Sequence, residues 1–356
     1  MTPARVTRLT RLFAAAARLA NREDPIGRQL RLRLEASTDL TAQGIDWALA
    51  RCLEPHPDEA TIEKMLDTLP NCAVAHVVLS SNVFVAPLRA IAIALLSADE
   101  VYVKPSRRAP DFTELLSQAA PGLFHVTTGL HARANDHVWA YGSDDSLRAI
   151  AAALPPAAVL HAHGFGFGVA VIDVSQHDIA TYGLCEDVIA FDQRGCLSPR
   201  ILVLIGSRVQ ANTWLDELLQ ELAGFEQRVP RGTLHEDEKA SLAWYRATMR
   251  YVGEIREARG ALCGIDWARK TLLLPPPGRN LHVCLSEREG WARQLAPWSA
   301  WLTTVGCSNP TLEQAAASAF PRARLAKLGK MQMPPLDGPV DQRGWPDARG
   351  ALGVIS

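Results

Sequence analysis

The chain has 356 residues, of which 48% are hydrophobic and 21% are charged. These fractions exclude a disordered chain, and the length predicts about two domains. The 37 basic and 38 acidic side chains give a net charge of −1. This balance excludes the basic excess that is typical of a nucleic-acid-binding domain.

The seven cysteines are scattered along the chain without a CxxC pair. This usage predicts reduced thiols in a cytoplasmic protein and no metal site. The sequence contains no run of about 18 apolar residues, because Pro87 and Arg89 interrupt the longest candidate. It shows no signal peptide either, so we expect a cytoplasmic protein without a membrane span.

The first half of the chain predicts helices and then alternating strands and helices. Apolar residues at helical spacing from Val6 to Leu19 predict a helix that packs against the protein, and 38–70 predicts further short helices. Alternating strands and helices indicate βαβ units around a parallel sheet, which binds ligands at the carboxyl ends of its strands. The predicted strands are 73–79, 100–103, 123–126, 138–141, 157–161 and 169–174, and the helices between them are 83–96, 111–119 and 146–154.

A second unit is predicted after a helix at 178–189. It contains strands at 201–205 and 281–284, a helix at 214–222 and charged, arginine-rich segments up to about residue 260. The tail from Pro321 is rich in proline and glycine, which predicts extended structure. We therefore predict an α/β protein with domains at 1–185 and 186–320 and a tail at 321–356 that is a candidate oligomerisation segment.

Cys196 is the first candidate for chemistry. It lies just before a hydrophobic strand, after Gly195, and Ser198-Pro199 predicts the start of a helical turn. A thiol at a helix N-terminus has its thiolate favoured by the helix dipole, which makes Cys196 a candidate nucleophile. The alternative is a small core residue, the commoner use of cysteine.

Polar residues follow three of the predicted strands. Lys104 ends a strand, where a cofactor would lie, and the amide of Asn82 is suited to an oxyanion. Gly142 and Ser143 precede a helix, whose free amides are suited to a phosphate. A solvated lysine, a turn asparagine and a glycine turn without a ligand are the simpler explanations.

Taken in chain order, the segments from about Val74 to Ile205 resemble the aldehyde dehydrogenase superfamily. Any one landmark is unspecific, whereas five in one order are specific. The Asp-Gln-x-x-Cys-x-Ser-Pro segment is most similar to the acyl-CoA reductase branch, which includes the fatty-acid reductase of bacterial luminescence. The landmarks are Asn82, Lys104-Pro105-Ser106, Gly142-Ser143, the strand end 161–164, and Gln193 with Cys196.

The resemblance implies a Rossmann-type cofactor domain within 1–185 and an α/β catalytic domain that carries Cys196. Cys196 would accept the acyl group, with Asn82 and the Cys196 backbone N–H as the oxyanion hole. Lys104, in the strand end that also carries Ser106, would hold the adenosine ribose. Gly142 and Ser143 would hold the pyrophosphate.

Three departures from the family's pattern refine this expectation. His161-Ala162-His163-Gly164 stands where oxidising members carry the glutamate that activates a hydrolytic water, which leaves an acyl-enzyme for hydride attack. Arg107 stands where a glutamate usually binds the ribose 2′-hydroxyl, which favours the 2′-phosphate of NADPH. The Glu-x-Phe-Gly-Pro segment that steadies the nicotinamide ribose is not found.

The resemblance therefore implies reduction of an acyl thioester to an aldehyde, with NADP(H) and a covalent thioester on Cys196. The substrate would be an acyl-CoA or an acyl-carrier protein, and His161 or His163 would transfer a proton unless both are structural. Alternatives are an acyl-phosphate reductase, an aldehyde oxidiser, a cofactor-free cysteine acyltransferase or hydrolase using Cys196 and His161, and a non-catalytic scaffold. The sequence leaves the acyl chain, the reaction direction and the oligomeric state open.

Overall fold

The structure is a computed structural model that describes residues 3–175, 180–268, 272–338, 340 and 343. Its helices are α1 (Pro3–Ala20), α2 (Pro25–Ser37), α3 (Ala42–Arg51), α4 (Glu59–Thr68), α5 (Ala86–Ser97), α6 (Asp111–Ala119), α7 (Asp144–Ala153), α8 (Ala180–Ile189), α9 (Arg208–Arg228), α10 (Glu236–Val252), α11 (Trp291–Leu295) and α12 (Pro310–Ala319). Its strands are β1 (Cys72–Val78), β2 (Ala98–Lys104), β3 (His125–Val126), β4 (His137–Tyr141), β5 (Val159–His163), β6 (Phe167–Asp173), β7 (Pro199–Ile205), β8 (Glu254–Ala258), β9 (Ala261–Asp266), β10 (Asn280–Ser286), β11 (Leu302–Cys307) and β12 (Arg324–Lys327).

The first compact unit comprises the chain up to Phe165 together with Pro335–Gly338. Its sheet has the order β3-β2-β1-β4-β5, and every pairing in it is parallel. From the adjacent strands β1 and β4 the chain continues to opposite sides, to β2 and to β5. This arrangement is a topological switch point, at which the carboxyl ends of the strands open a crevice for ligands.

Buried apolar faces hold the helices of this unit together. Leu9, Leu12 and Leu19 of α1 have no exposed surface, which confirms the predicted packing of this helix. The helix α5 begins with a proline in its first turn, and nearly all of its residues, most of them apolar, are buried. The guanidinium of Arg8 donates to the carbonyl oxygen of Ala98 at 2.8 Å and so ties α1 to the start of β2.

The segment Pro335–Gly338 packs on the first unit through a buried arginine. Arg89 of α5 forms an ion pair with Glu54 and donates to the carbonyl oxygens of Pro335, at 2.8 Å, and Gly338, at 3.2 Å. This part of the predicted tail therefore binds its own chain, whereas the proposed contact with a neighbouring copy stays a prediction.

The second compact unit comprises the described residues from Gly166 to Pro334. Its sheet has the order β12-β11-β6-β7-β10-β9-β8, with parallel pairings except for β8 with β9. The strands β6 and β10 are buried at every position, as expected for central strands of a parallel sheet. Trp291, Trp298 and Phe320 pack in the main core of this unit.

The boundary between the units differs from the sequence interpretation, which placed it after residue 185. Residues 166–175 and 180–185 lie in the second unit, and β6 pairs with β7 and β11 rather than with the first sheet. The tail predicted from 321 also contains the strand β12. The predicted helix start at 178 lies outside the described residues. Among the described residues, no helix is both long and apolar enough to cross a membrane.

Candidate active site

Cys196 is half-buried in a loop that joins a short 3-10 turn (Ala190–Gln193) to β7. The N–H of Ser198 donates to the carbonyl oxygen of Gly195 at 3.1 Å and closes the loop. The prediction that a helical turn starts at Ser198-Pro199 was wrong. Pro199 begins β7 instead, where it lies opposite Gly168 of β6, so no helix dipole from this turn acts on the thiol.

A glycine allows β6 to lie directly against this loop. A Cβ atom at Gly168 would lie 2.6 Å from the carbonyl oxygen of Leu197, the residue after Cys196. A Cβ atom at Gly166 would likewise lie 2.1 Å from Oγ1 of Thr303. These two glycines of the segment 161–168 are therefore explained by close packing within the second unit.

The backbone before Cys196 is strained. Phe191, Asp192 and Gln193 have φ angles of 51°, 49° and 61°, in the left-handed region that side chains other than glycine disfavour. Each such residue costs on the order of 1–3 kcal/mol and persists only where its surroundings hold it. The loop that carries the thiol is therefore held by specific contacts.

Gln193 and Asp192 make those contacts with the start of β10. The Gln193 side chain donates to the carbonyl oxygens of Pro199, at 2.8 Å, and Asn280, at 3.0 Å. The Asp192 carboxylate forms a buried ion pair with Arg279 at 2.8 Å. Sequence reasoning missed Arg279, which follows three prolines and a glycine in the sequence. This pattern is that of an ordinary loop, so it gives no sign of a buried ion pair.

Cys196 is one of two half-buried cysteines in the chain. All seven lie in the described part of the chain, and none forms a disulfide. Five are buried, and burial raises the pKa of the thiol to about 12 at both Cys263 and Cys307. The other half-buried cysteine, Cys72, has its pKa raised by burial and lies 3.6 Å from the Ser97 carbonyl oxygen.

The residues expected to bind a cofactor lie at the carboxyl edge of the first sheet. Lys104 is the last residue of β2, Asn82 is exposed in the bend after β1, and Gly142 and Ser143 join β4 to α7. Because β1 and β4 flank the switch point, Asn82 and Ser143 follow the two strands that border its crevice.

The N-terminus of α7 has both favourable and unfavourable features for a phosphate. The hydroxyl of Ser143 accepts the N–H of Ser146 at 3.3 Å and caps the helix. The first turn also carries Asp144 and Asp145, which oppose an anion. Arg148 pairs with Asp145 at 2.7 Å and offsets part of that charge.

Arg107 and Arg108 follow Lys104 and are exposed. Within the described residues, neither arginine has an acidic side chain at ion-pairing distance. Ser106 lies between them and Lys104, and its hydroxyl accepts the N–H of Arg108 at 3.3 Å. Two cations are therefore available beside the end of β2, as the prediction of a 2′-phosphate contact requires.

His161 lies in the middle of β5 rather than at its carboxyl end. Burial, with smaller contributions from His137 and His163, lowers the pKa of His161 to about 4. The His161 ring is therefore uncharged at neutral pH. His163, at the end of β5, stacks on Tyr141 with ring centroids 4.6 Å apart.

The first unit thus brings Asn82, Lys104, Ser106, Arg107, Gly142 and Ser143 to one edge of its sheet, with His161 set back in β5. Cys196 belongs to the second unit, on its own braced loop. Comparison with known proteins shows which family the chain matches. A family model for acyl-CoA reductase (LuxC) matches residues 127–339.

The chain belongs to the acyl-CoA reductase (LuxC) family. The matched residues are more than half of the chain and include Ser143, His161 and Cys196, whereas Asn82 and Lys104 precede them. The chain is also 29% identical, over 110 residues, to long-chain acyl-protein thioester reductase 2 of Photobacterium leiognathi. That alignment covers 30% of this chain and only 22% of the relative.

Solved structures, among them two aldehyde dehydrogenases, share the fold, which confirms the predicted fold class. PnpE from Pseudomonas sp. WBC-3 matches with a TM-score of 0.69 and 14% identity, over 90% of this chain and 77% of PnpE. Lactaldehyde dehydrogenase from Escherichia coli matches with a TM-score of 0.66 and 13% identity, over 91% and 78%. Gamma-glutamyl-gamma-aminobutyraldehyde dehydrogenase from Burkholderia cenocepacia J2315 matches with 0.66 and 15%, over 90% and 75%.

Proposed function

We propose that this member of the acyl-CoA reductase family reduces an acyl thioester to an aldehyde through a covalent thioester on Cys196, with NADPH as the reductant. The observation that carries the proposal is the half-buried thiol of Cys196 on a strained loop, braced by buried hydrogen bonds. Strain of this kind clusters at active sites, where it pre-organises reacting groups.

The chemistry at Cys196 is acyl transfer between two thiols. The Cys196 thiolate attacks the carbonyl carbon of an acyl-CoA or acyl-carrier thioester and forms a new carbon–sulfur bond. The carbonyl oxygen gains the negative charge, and donors such as the Asn82 amide and the Cys196 N–H stabilise it. The bond to the CoA or carrier sulfur then breaks, and the thiolate leaves. This splits one difficult step into two easier ones.

The cofactor would be held at the carboxyl edge of the first sheet. Lys104 and Ser106 would contact the adenosine ribose, Arg107 its 2′-phosphate, and the capped N-terminus of α7 at Ser143 the pyrophosphate. The switch point and the available arginines support this assignment. When bound, the reduced nicotinamide would supply a hydride to the acyl carbon, whose bond to the Cys196 sulfur would then break, so that the aldehyde leaves and the Cys196 thiolate is restored.

A histidine of β5 remains our proposal for proton transfer. A pKa of about 4 makes His161 a weak base at neutral pH. His163 lies nearer the edge at which ligands of a parallel sheet bind, next to Gly142, whose N–H donates to the His163 carbonyl oxygen at 3.2 Å. The geometry therefore favours His163 over His161 for this role.

Mass spectrometry of the acylated protein tests the proposal. The protein is mixed with acetyl-, octanoyl- or palmitoyl-CoA without NADPH, and the peptide that contains Cys196 is expected to gain one acyl group. Addition of NADPH should then discharge the adduct and release aldehyde. Cys196→Ala should abolish both signals, whereas Cys72→Ala, which removes the other half-buried thiol, should preserve them.

Other results would point to other functions. Release of a free acid rather than an aldehyde would indicate a hydrolase, and a requirement for acyl phosphate in place of acyl-CoA would indicate an acyl-phosphate reductase. Absence of an adduct and of turnover with every donor would overturn the proposal and favour a non-catalytic scaffold.

A further inference from the structure

Two segments that are distant in the sequence meet at the nucleophile loop of the second unit. Asp192 and Arg279 are 87 positions apart, and Oδ1 of Asp192 accepts a hydrogen bond from Nε of Arg279 at 2.8 Å. Their side chains are only 1% and 3% exposed. The second carboxylate oxygen, Oδ2, accepts the N–H of Gly232 at 2.9 Å. Both oxygens of the buried carboxylate are therefore engaged.

The backbone at both ends of this ion pair is left-handed. Asp192 has a φ of 49° and Arg279 a φ of 63°. The backbone carbonyl of Asp192 also accepts the N–H of Gly278 at 2.8 Å, so the two unusual turns are joined by main-chain and side-chain bonds. Each turn is therefore among the contacts that hold the other in its left-handed conformation.

Arg279 also connects the pair to α9. Its Nη1 donates to the carboxylate of Glu226 and to the carbonyl oxygen of Val229, both at 2.8 Å. The position of Asp192 is thus fixed relative to a 21-residue helix. Cys196 follows Asp192 by four residues, so a change in this turn moves the thiol.

We propose that Asp192 and Arg279 are positioning residues for Cys196, whose ion pair holds the strained turn at 191–193 and so aims the thiol at the acyl carbonyl. This inference rests on the proposed function, because it assumes that Cys196 accepts the acyl group. Neither residue needs to touch the substrate. Their loss is therefore expected to slow acylation without weakening the binding of acyl-CoA.

Single-turnover acylation of Cys196 by the acyl-CoA that the wild type uses best measures this effect. Asp192→Asn keeps the shape and tolerates left-handed backbone but removes the charge. Arg279→Met removes the cation. We expect both to lower the acylation rate constant by about 10- to 100-fold, the order of loss that a small misplacement of a reacting group causes. The acyl-CoA concentration that gives half of the maximal acylation rate should stay the same, and Arg279→Lys should recover part of the rate.

The double variant Asp192→Asn/Arg279→Met should be no slower than the slower single variant, because the two residues act as one unit. Asp173→Asn is the matched control. It removes another buried carboxylate, paired with Arg288 in the same unit, and should leave the rate constant unchanged. A merely structural role of Asp192 would lower the fraction of protein that can be acylated but not the rate constant of that fraction.

The outcomes separate the two proposals. Acylation of the wild type together with wild-type rate constants in both Asp192→Asn and Arg279→Met would overturn the positioning role alone. Equal slowing in Asp173→Asn would also overturn it, since any lost buried carboxylate would then suffice. Failure of the wild type to acylate at all would overturn the proposed function and this inference with it.

Discussion

The Nε2 atom of His161 lies 2.9 Å from the Nδ1 atom of His137, and the His161 ring stacks on Trp139 with centroids 4.5 Å apart. One imidazole must donate to the other, so the pair is satisfied only while at least one ring nitrogen lacks a proton. The same burial that packs the rings together lowers the pKa of His161 to about 4 and also lowers the pKa of His137.

This pair should make the first unit sensitive to acid. The unfolded chain takes up a proton on His161 near pH 6.5, whereas the folded protein does so only near pH 4. The contribution of His161 to the free energy of unfolding should therefore fall as the pH is lowered from 6.5 towards 4. Urea unfolding of the wild type and of His161→Gln across this range measures the effect. On acidification, His161→Gln should lose less free energy of unfolding than the wild type, whereas His131→Gln, at an exposed position, should follow the wild type. Equal slopes in all three proteins would contradict the prediction.

Asp187 should have the opposite effect in the second unit. Burial raises its pKa to about 7, although the backbone N–H groups of Gly329 and Met331 donate to its carboxylate at 2.6 and 2.9 Å. Between about pH 4 and pH 7 the folded protein keeps a proton that the unfolded chain has released. The contribution of Asp187 to the free energy of unfolding should therefore decrease with rising pH, by roughly 3–4 kcal/mol over this range.

Asp187→Asn tests this expectation, since an amide keeps an acceptor for one N–H group but does not titrate. Urea unfolding followed at pH 4, 5.5 and 7 should show that, as the pH rises, the wild type loses more free energy of unfolding than the variant does, by this amount. Asp173→Asn is a suitable comparison. Burial acts to raise the pKa of Asp173, but hydrogen bonds from Ser175 and Arg288 outweigh it and lower that pKa. A decrease that persists in Asp187→Asn would assign it to another group.

The alternation of strands and helices in the first unit could be predicted because each element has its own local signal. The helix α6 has the predicted bounds of 111–119, and the predicted positions of β1, β2 and β4 are correct to within two residues. Buried apolar runs such as that of β1 identify a strand without any knowledge of its neighbours.

The sheet that a strand joins depends on distant partners, and that information is missing from a local pattern. The strand β6 follows β5 after three residues, yet it pairs with β7 and β11. The helix α10 and the strand β8 were hidden by charged residues on their exposed faces, since α10 buries only Leu242, Tyr245 and Met249. The contact between Asp192 and Arg279 likewise joins residues 87 positions apart.

Two ion pairs that hold the segment Pro335–Gly338 should differ strongly in their effect on stability. Arg89 and Glu54 are 9% and 13% exposed, and burial raises the pKa of Glu54 despite its partner. Arg89→Met leaves that carboxylate buried without its cation, which should cost about 3–5 kcal/mol. Lys64 pairs with Asp337 at 2.7 Å but is 61% exposed. Lys64→Met should therefore cost at most about 1 kcal/mol.

Urea unfolding at neutral pH measures both losses. The double variant Glu54→Leu/Arg89→Met should be more stable than Arg89→Met, because it removes the stranded carboxylate together with the arginine. Equal losses in Arg89→Met and Lys64→Met would show that the burial of the Arg89 pair has no energetic consequence.

Arg107 should decide which nicotinamide cofactor the protein prefers. Its exposed guanidinium follows the end of β2, where the ribose of a dinucleotide bound to a parallel sheet would lie. Arg107→Glu replaces a cation suited to a 2′-phosphate with a carboxylate that accepts hydrogen bonds from a 2′-hydroxyl and repels a phosphate. The ratio of kcat/KM for NADPH to that for NADH should therefore fall by about tenfold or more, since loss of a charge-assisted hydrogen bond costs roughly 1.5–3 kcal/mol.

Arg28→Glu makes the same change of charge on an exposed face of α2 and should leave the ratio unchanged. An unaltered ratio in Arg107→Glu would remove this residue from the cofactor site, and an equal fall in Arg28→Glu would assign the preference to the net charge of the protein rather than to a local contact.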